Sequence, residues 1–204
     1  MTNKTTIQSL ALPIVLCMFS ALSVDAHAAS GTITFSGSVA SQTCAPAIGT
    51  VVPTQGTQNF SVTLPSISAD DLKTSGTTAG EVGFSISVSN CTSATGKVAT
   101  FFENGPAVHS PSGRLTNMTP TSGGGAANVH IELLNAADRS PIRVGTDQKN
   151  QITQWVSLTS TTPPGTGKAV GNATMNYLAR YHAHEGPAKA GTVTSKVIYS
   201  MVWQ

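Results

Sequence analysis

Gly31-Thr-Ile-Thr-Phe-Ser-Gly-Ser-Val39 alternates along its length. Ile33, Phe35 and Val39 fall on one side of an extended chain together with Gly37, and polar residues take most of the positions between. The run reads as a strand with one apolar face. It lies ahead of Cys44 and outside the body of the predicted β-domain, so it either pairs within its own domain or is given to another molecule. Which of the two applies decides both the fold and the function.

Upstream of it, Lys4 precedes an apolar run from Leu10 to Leu22 and a small-x-small site at Ala26-His27-Ala28. This order predicts a secretory signal over residues 1–28, cut before Ala29. No later segment approaches the ~20 apolar residues that a membrane-spanning helix needs. Removing 28 of 204 residues leaves 204 − 28 = 176, the size of one domain with one core. Lys4 and Asp25 leave together, so the formal charge stays at +2, and no basic patch points to nucleic acid. Cys17 also leaves. Cys44 and Cys91 remain as an even pair in an oxidising compartment, where a disulfide is expected rather than two free thiols or a closely spaced redox pair.

Ser, Thr, Gly, Ala and Val dominate the rest, and charged residues are 10% of the chain. No window of a dozen residues carries a good helical stripe, so the class is all-β. Strands are expected at Thr32–Ala40, Gln58–Leu64, Gly83–Ser89, Val98–Phe102, Val129–Leu134, Ile152–Thr159, Met175–His184 and Val193–Gln204. Turn-forming stretches such as Thr121–Gly125 and Thr161–Gly167 separate them, which suggests a β-sandwich. Ala69–Ser75 is expected to form one short helical turn, with Asp70 and Asp71 near its start and Gly76 as its stop.

Parity assigns faces. Phe84, Ile86 and Val88 alternate with serines, and Val129, Ile131 and Leu133 alternate with His130 and Glu132, so both strands are expected to be half-buried. Tyr177, Ala179, Tyr181 and Ala183 share a side, which leaves Arg180, His182 and His184 on a face expected to meet water. Cys91 has the parity of the outward serines. A bridge inside the fold therefore requires its strand to bend or end near Asn90.

Catalytic chemistry is hard to find. His182-x-His184 puts two imidazoles on one strand face, and an exported β-sandwich metalloprotein resembling copper-zinc superoxide dismutase is the alternative reading. Its ligand set needs more histidines than the four left after the signal, of which His109 and His130 stand alone in sequence. The reading adopted here assigns no catalytic residue, no metal and no cofactor. Gly123-Gly-Gly125 lacks the basic residue and the strand–helix unit of a phosphate cradle. Asp70-Asp71 suits a helix start better than an acid–base dyad. Asn90-Cys-Thr, Asn117-Met-Thr and Asn172-Ala-Thr match the glycosylation acceptor pattern, which arises by chance in so threonine-rich a chain.

At the other terminus Val197, Tyr199, Met201 and Trp203 alternate up to Gln204. An immunoglobulin-like sandwich ordinarily runs on into one more strand, so a domain ending here is expected to leave an unpaired edge and an open apolar groove. The early strand, the cysteine closing Phe84-Ser-Ile-Ser-Val-Ser-Asn-Cys91, the segment Tyr177-Leu-Ala-Arg-Tyr181 and the ending Tyr199-Ser-Met-Val-Trp-Gln204 together resemble the type 1 fimbrial subunits of the chaperone–usher pathway. Leu64-Pro-Ser-Ile67, Leu72-Lys73, Glu103-Asn-Gly-Pro106 and Gly113-Arg-Leu-Thr-Asn117 add to the likeness, which spans essentially the whole mature chain.

The resemblance implies an incomplete immunoglobulin-like β-sandwich that lacks its final strand and is completed by a donor strand from another subunit. It implies a signal peptide at 1–28, a donor extension at 29–40 and a pilin domain at 41–204. Gly31, Ile33, Phe35, Gly37 and Val39 would enter five successive pockets. Val197, Tyr199, Met201, Trp203 and Gln204 would form the strand that flanks the acceptor groove and binds a periplasmic chaperone. The implied partners are identical or related pilins, that chaperone and an outer-membrane usher, and the implied location is a fimbria on a Gram-negative cell surface. Gly31 departs from the larger apolar residue usual in the family, and Trp203 from the usual tyrosine. A tip adhesin would carry a further amino-terminal domain instead of a donor strand.

Overall fold

The computed structural model describes residues 44–48, 60–152 and 154–204. The expected donor strand and the signal segment lie outside them. The described residues fall in one compact unit.

Eleven strands follow one another: β1 (Ala45–Ile48), β2 (Thr78–Cys91), β3 (Lys97–Glu103), β4 (Val108–His109), β5 (Arg114–Thr116), β6 (Val129–Asn135), β7 (Pro141–Ile142), β8 (Val156–Ser157), β9 (Thr159–Thr161), β10 (Val170–Ala183) and β11 (Ile198–Trp203). They make two sheets. The larger runs β1-β2-β10-β6-β5-β4, with β7 on β6 and β9 on β10; the smaller runs β11-β3-β8. All pairings are antiparallel.

The core lies between the sheets. Ile86 and Val88 of β2, Met175, Tyr177 and Ala179 of β10, and Ile131 and Leu133 of β6 meet Val98 and Phe102 of β3. These are the parities expected of β2 and β10, because side chains alternate across a pleated strand. Aromatic rings bridge the two sheets: Phe102 stands edge-on to Tyr177, Tyr177 contacts Phe84, and Phe60 touches both Phe84 and Tyr199.

Two bulges in β2 explain how one long strand serves two clusters. Between the pairs Ala179↔Val82 and Tyr181↔Ala79, β2 holds one residue more than β10. Gly80 lies at that point with φ +65°, and a Cβ there would meet the Tyr181 ring at 2.8 Å, so both backbone and space select glycine. Between Ala173↔Val88 and Gly171↔Cys91 a second extra residue appears, with Asn90 at φ 53°. The extra residue turns Cys91 from the outward parity of the serines into the interior, where it is fully buried and bonded to Cys44. This is the bend near Asn90 that an internal bridge required. The bridge closes a separation of 47 residues. On the chain-entropy model, replacing both cysteines by serine is therefore expected to lower stability by about 4 kcal/mol, read as a fall in the urea midpoint.

Some sequence expectations are corrected. Residues 60–64 belong to no strand; Phe60 instead lays its ring into the core. Ile152–Thr159 is not one strand. Asp147 caps a helical turn at Gln148–Gln151 by accepting a hydrogen bond from the Asn150 amide, and the chain then makes only the short strands β8 and β9. The helical turn expected after Ser68 forms at Ala69–Leu72 as a 3-10 turn. Ser68 and Asp71 make a reciprocal capping box there. Neither Asn117 nor Asn172 presents an idle amide. Asn117 donates to the carbonyls of Ala126 and Thr192 and accepts from the amides of Thr119 and Thr194, while Asn172 accepts from Asn90 and donates to Thr161.

Candidate functional site

The last strand holds the first candidate site. β11 pairs with β3 from Ile198↔Glu103 to Trp203↔Val98, and Gln204 and Lys97 exchange both backbone hydrogen bonds beyond it. Hydrogen-bonded and non-hydrogen-bonded pairs alternate in an antiparallel ladder. The backbone N–H and C=O groups of Met201 and Trp203 therefore point away from β3. Among the described residues, β11 pairs with no other strand.

Burial gives the same picture. Val98, Thr100 and Phe102 are 0%, 5% and 2% exposed, whereas their partners across the ladder, Trp203, Met201 and Tyr199, are only half-buried. Both rows face the core, and Val197, Tyr199, Met201 and Trp203 all pack against it. Packing is thus complete on β3 and incomplete one strand further out. An edge of this kind, apolar on its inner side and with main-chain groups turned outward, can accept an added strand.

The second concentration of function-bearing side chains lies on the outward face of the larger sheet, which the sequence reading expected to meet water. It is covered. Every residue of β6 is buried, including His130 and Glu132. The register explains this, since Arg180 of β10 and Arg114 of β5 stand directly opposite Glu132 or next to that position on either side. Arg180 donates from Nε and Nη2 to Glu132 Oε2 at 2.9 and 2.7 Å, and Arg114 donates from Nε to Oε1 at 2.9 Å. Glu81 links the far side of Arg180 to Arg139. Burial raises the pKa of Glu132, but the hydrogen bonds from Arg180 and Arg114 outweigh it and hold the carboxyl below its usual range.

Beside this network the histidines gather. His109 and His130, far apart in sequence, meet His184: the ring centroids are 5.0 Å apart for His109–His130, 4.7 Å for His109–His184 and 4.0 Å for His130–His184. His182 lies opposite His130 in the ladder but outside this trio. Burial, then the charges of His184, His109, Arg114 and His182, push His130 down to about 4. His182 is lowered by burial first and by Arg114 next, with Glu132 opposing.

The sign of the linkage follows directly. A histidine lowered from 6.5 to about 4 contributes stability that is whole above pH 6.5 and is lost as pH falls towards 4, because only the unfolded chain takes up the proton in that window. The loss amounts to about 3 kcal/mol. Glu132, also depressed, adds to it below its ordinary range. Urea midpoints in metal-free buffer should fall steadily from pH 7 to pH 4.5, and the His130→Phe variant should flatten the upper part of that slope.

Comparison with known proteins decides the family. The family model "FimA: Type-1 fimbrial protein, A" matches residues 64–204. The chain belongs to the type-1 fimbrial protein family. Among relatives of this fimbrial protein, the major fimbrial subunit SMF-1 of Stenotrophomonas maltophilia is 37% identical over 188 residues, covering 91% of this chain and 99% of the relative. The F17 fimbrial protein of Escherichia coli is 34% identical over 198 residues, covering 95% and 98%. A solved chaperone–usher pilus, described for the molecular basis of its rod uncoiling, shares the fold. Its TM-score is 0.50 at 17% identity, covering 86% of this chain and 96% of that one. In this fimbrial protein, as in the sequence reading, the structure is an all-β sandwich with open sheets.

Of the sequence-predicted site residues, Tyr199, Met201 and Trp203 lie in β11 with Val197 just before it and Gln204 just after. Gly31, Ile33, Phe35, Gly37 and Val39 lie outside the described residues. The Glu132 network and the histidine trio were missed. Parity puts His130, Glu132, Arg180 and His184 on outward faces and says nothing of Arg114 or His109; the register that sets Arg180 and Arg114 beside Glu132 is a property of pairing, which no single strand carries.

Proposed function

We propose that this fimbrial protein is a structural subunit of a chaperone–usher surface fimbria, without catalytic activity, which polymerises by donor-strand exchange. The observation that carries the reading is the contrast across the β11–β3 ladder. Three core-facing side chains stay only half-buried beside a fully buried row, on a strand that has one described partner. An incoming strand on the outer side of β11 would pair with the Met201 and Trp203 main chain and cover the half-buried row.

In this reading residues 1–28 are removed on export and residues 29–40 are the donor, with Gly31, Ile33, Phe35, Gly37 and Val39 entering the pockets of a neighbour. Residues 41–204 form the pilin domain. A periplasmic chaperone lends a strand to the Val197–Gln204 edge first, and an outer-membrane usher exchanges it for the donor of the next subunit. The finished location is an extracellular fimbria of a Gram-negative cell. Among the described residues no helix is long and apolar enough to cross a membrane.

Electron microscopy of cells with and without the gene, using an antibody raised against residues 60–204, tests the proposal. Filaments decorated along their length and lost with the gene are expected. Antibody confined to the periplasm, with filaments unchanged, would overturn it.

A further inference from the structure

The histidine trio on the outward face of the larger sheet is used by neither the core nor the β11 edge. His109 ends the two-residue strand β4, His130 lies in β6 and His184 follows β10, so three separate segments deliver the rings to one place. A ring nitrogen of each lies within 4.8 Å of the others.

The hydrogen-bonding state of the rings is unusual. His130 Nδ1 and His184 Nε2 are buried and have no hydrogen-bond partner, although buried polar atoms are nearly always paired. His109 differs: its Nδ1 is within 2.9 Å of Ser112 Oγ, which fixes the ring and leaves Nε2 for another role, the usual arrangement of an imidazole ligand held from behind. Glu185 follows at once, with φ 61°, a backbone region that non-glycine residues seldom adopt. Its Oε1 is 3.3 Å from His184 Nε2.

We propose that His109, His130 and His184 form a binding site for one divalent transition-metal ion of the zinc class, with Glu185 or a water in the fourth position. A metal ion would satisfy His130 Nδ1, which has no partner, and His184 Nε2, which has only the Glu185 carboxylate beside it at 3.3 Å. Three imidazoles and an oxygen suit zinc, nickel or copper(II) far better than calcium or magnesium. Bonds of 2.0–2.1 Å in a tetrahedral site place ligand atoms about 3.3 Å apart, so the rings, now with ligand atoms within 4.8 Å of one another and His130 stacked on His184, must turn and close on the ion. Glu132 is no part of the site, since Arg114 and Arg180 occupy its carboxylate. The ligand set differs from the sequence-derived pair: His184 takes part and His182 does not. Bound metal would clamp β4, β6 and the segment after β10 on the face opposite the core.

The exported full chain, stripped with chelator and dialysed, is titrated calorimetrically with zinc chloride alone, and its cobalt(II) form is examined by visible absorption. One zinc per chain is expected, with the intense visible bands of tetrahedral cobalt. His109→Gln and His184→Gln should each weaken zinc binding at least tenfold and abolish those bands, while His182→Gln leaves both intact. Circular dichroism shows that each variant is folded, and the half-buried His109 serves where a buried substitution fails to fold. No stoichiometric zinc on the folded wild type, or loss on His182→Gln with retention in both other variants, would overturn the site. Because the readout is metal bound per chain, the result stands whether or not the chain forms fibres.

Discussion

A chain lacking residues 29–40 is expected to fold, to be exported and to accept a neighbour's strand, yet never to hold an interior place in a fibre. On the donor reading Ile33, Phe35 and Val39 would each be worth about 1.5–3 kcal/mol when buried, so together about 5–9 kcal/mol. Main-chain bonds along the β11 edge add to this. Their removal leaves the half-buried Met201 and Trp203 of the next subunit without an added strand over them. In cells making only the truncated chain, fibres should be absent by electron microscopy; when it is mixed with the full chain, fibres should shorten as its share rises. Normal fibre length with the truncated chain inside would refute the donor reading. Gly37→Leu offers a finer probe, since a bulky residue in a shallow pocket should block polymerisation while leaving Ile33, Phe35 and Val39 in place.

Glu132→Ala is expected to be the most destabilising substitution in the described domain away from the bridge, at about 3–5 kcal/mol. Its side chain is 4% exposed, and its two oxygens accept the hydrogen bonds that the Arg114 and Arg180 heads direct towards β6. Without it, two guanidinium groups confront each other over a buried strand. Either arginine can swing towards water, being 25% and 21% exposed, which keeps the loss within that range. Arg114→Ala should cost less, because Arg180 still neutralises the carboxylate. Replacing all three residues with apolar ones of similar volume should recover most of the loss. Denaturant unfolding of the three variants beside the wild type checks this order. A Glu132→Ala loss below that of Arg114→Ala would show that the carboxylate is not the centre of the network.

How much of this could be read in advance depends on the range of the signal. The alternation of Phe84-Ser-Ile-Ser-Val88 and of Tyr177 to Ala183 is local, and both strands form with the expected side inward. Even the rotation of Cys91 could be anticipated, because parity and an internal bridge were compatible only with a bend near Asn90. What escaped was pairwise. Nothing in Val129-His-Ile-Glu-Leu133 says that arginines from two other strands will cover Glu132, or that His109, from a hairpin of two short strands, will reach His130 and His184. Likewise Ile152–Thr159 has good β-formers, yet the cap at Asp147 and the turn after it take precedence over propensity. The half-buried row on β11 was legible in outline, since Tyr199, Met201 and Trp203 alternate, but its incomplete burial needed β3 alongside for comparison.

On the other side of β3 from β11, Gln151 reaches in as a side-chain surrogate for a strand. Its Oε1 accepts from the Phe102 amide at 2.6 Å and its Nε2 donates to the Phe102 carbonyl at 2.9 Å. With β8 covering Lys97 and Val98, that margin of the small sheet is already taken where the core is deepest. If each subunit gives one strand and receives one, a monomer so blunted has a valence of two. Growth is then confined to a single unbranched, head-to-tail line whose polarity is set at the first link. On that condition Gln151, by closing the Phe102 main chain, would help keep the assembly a filament and not a network.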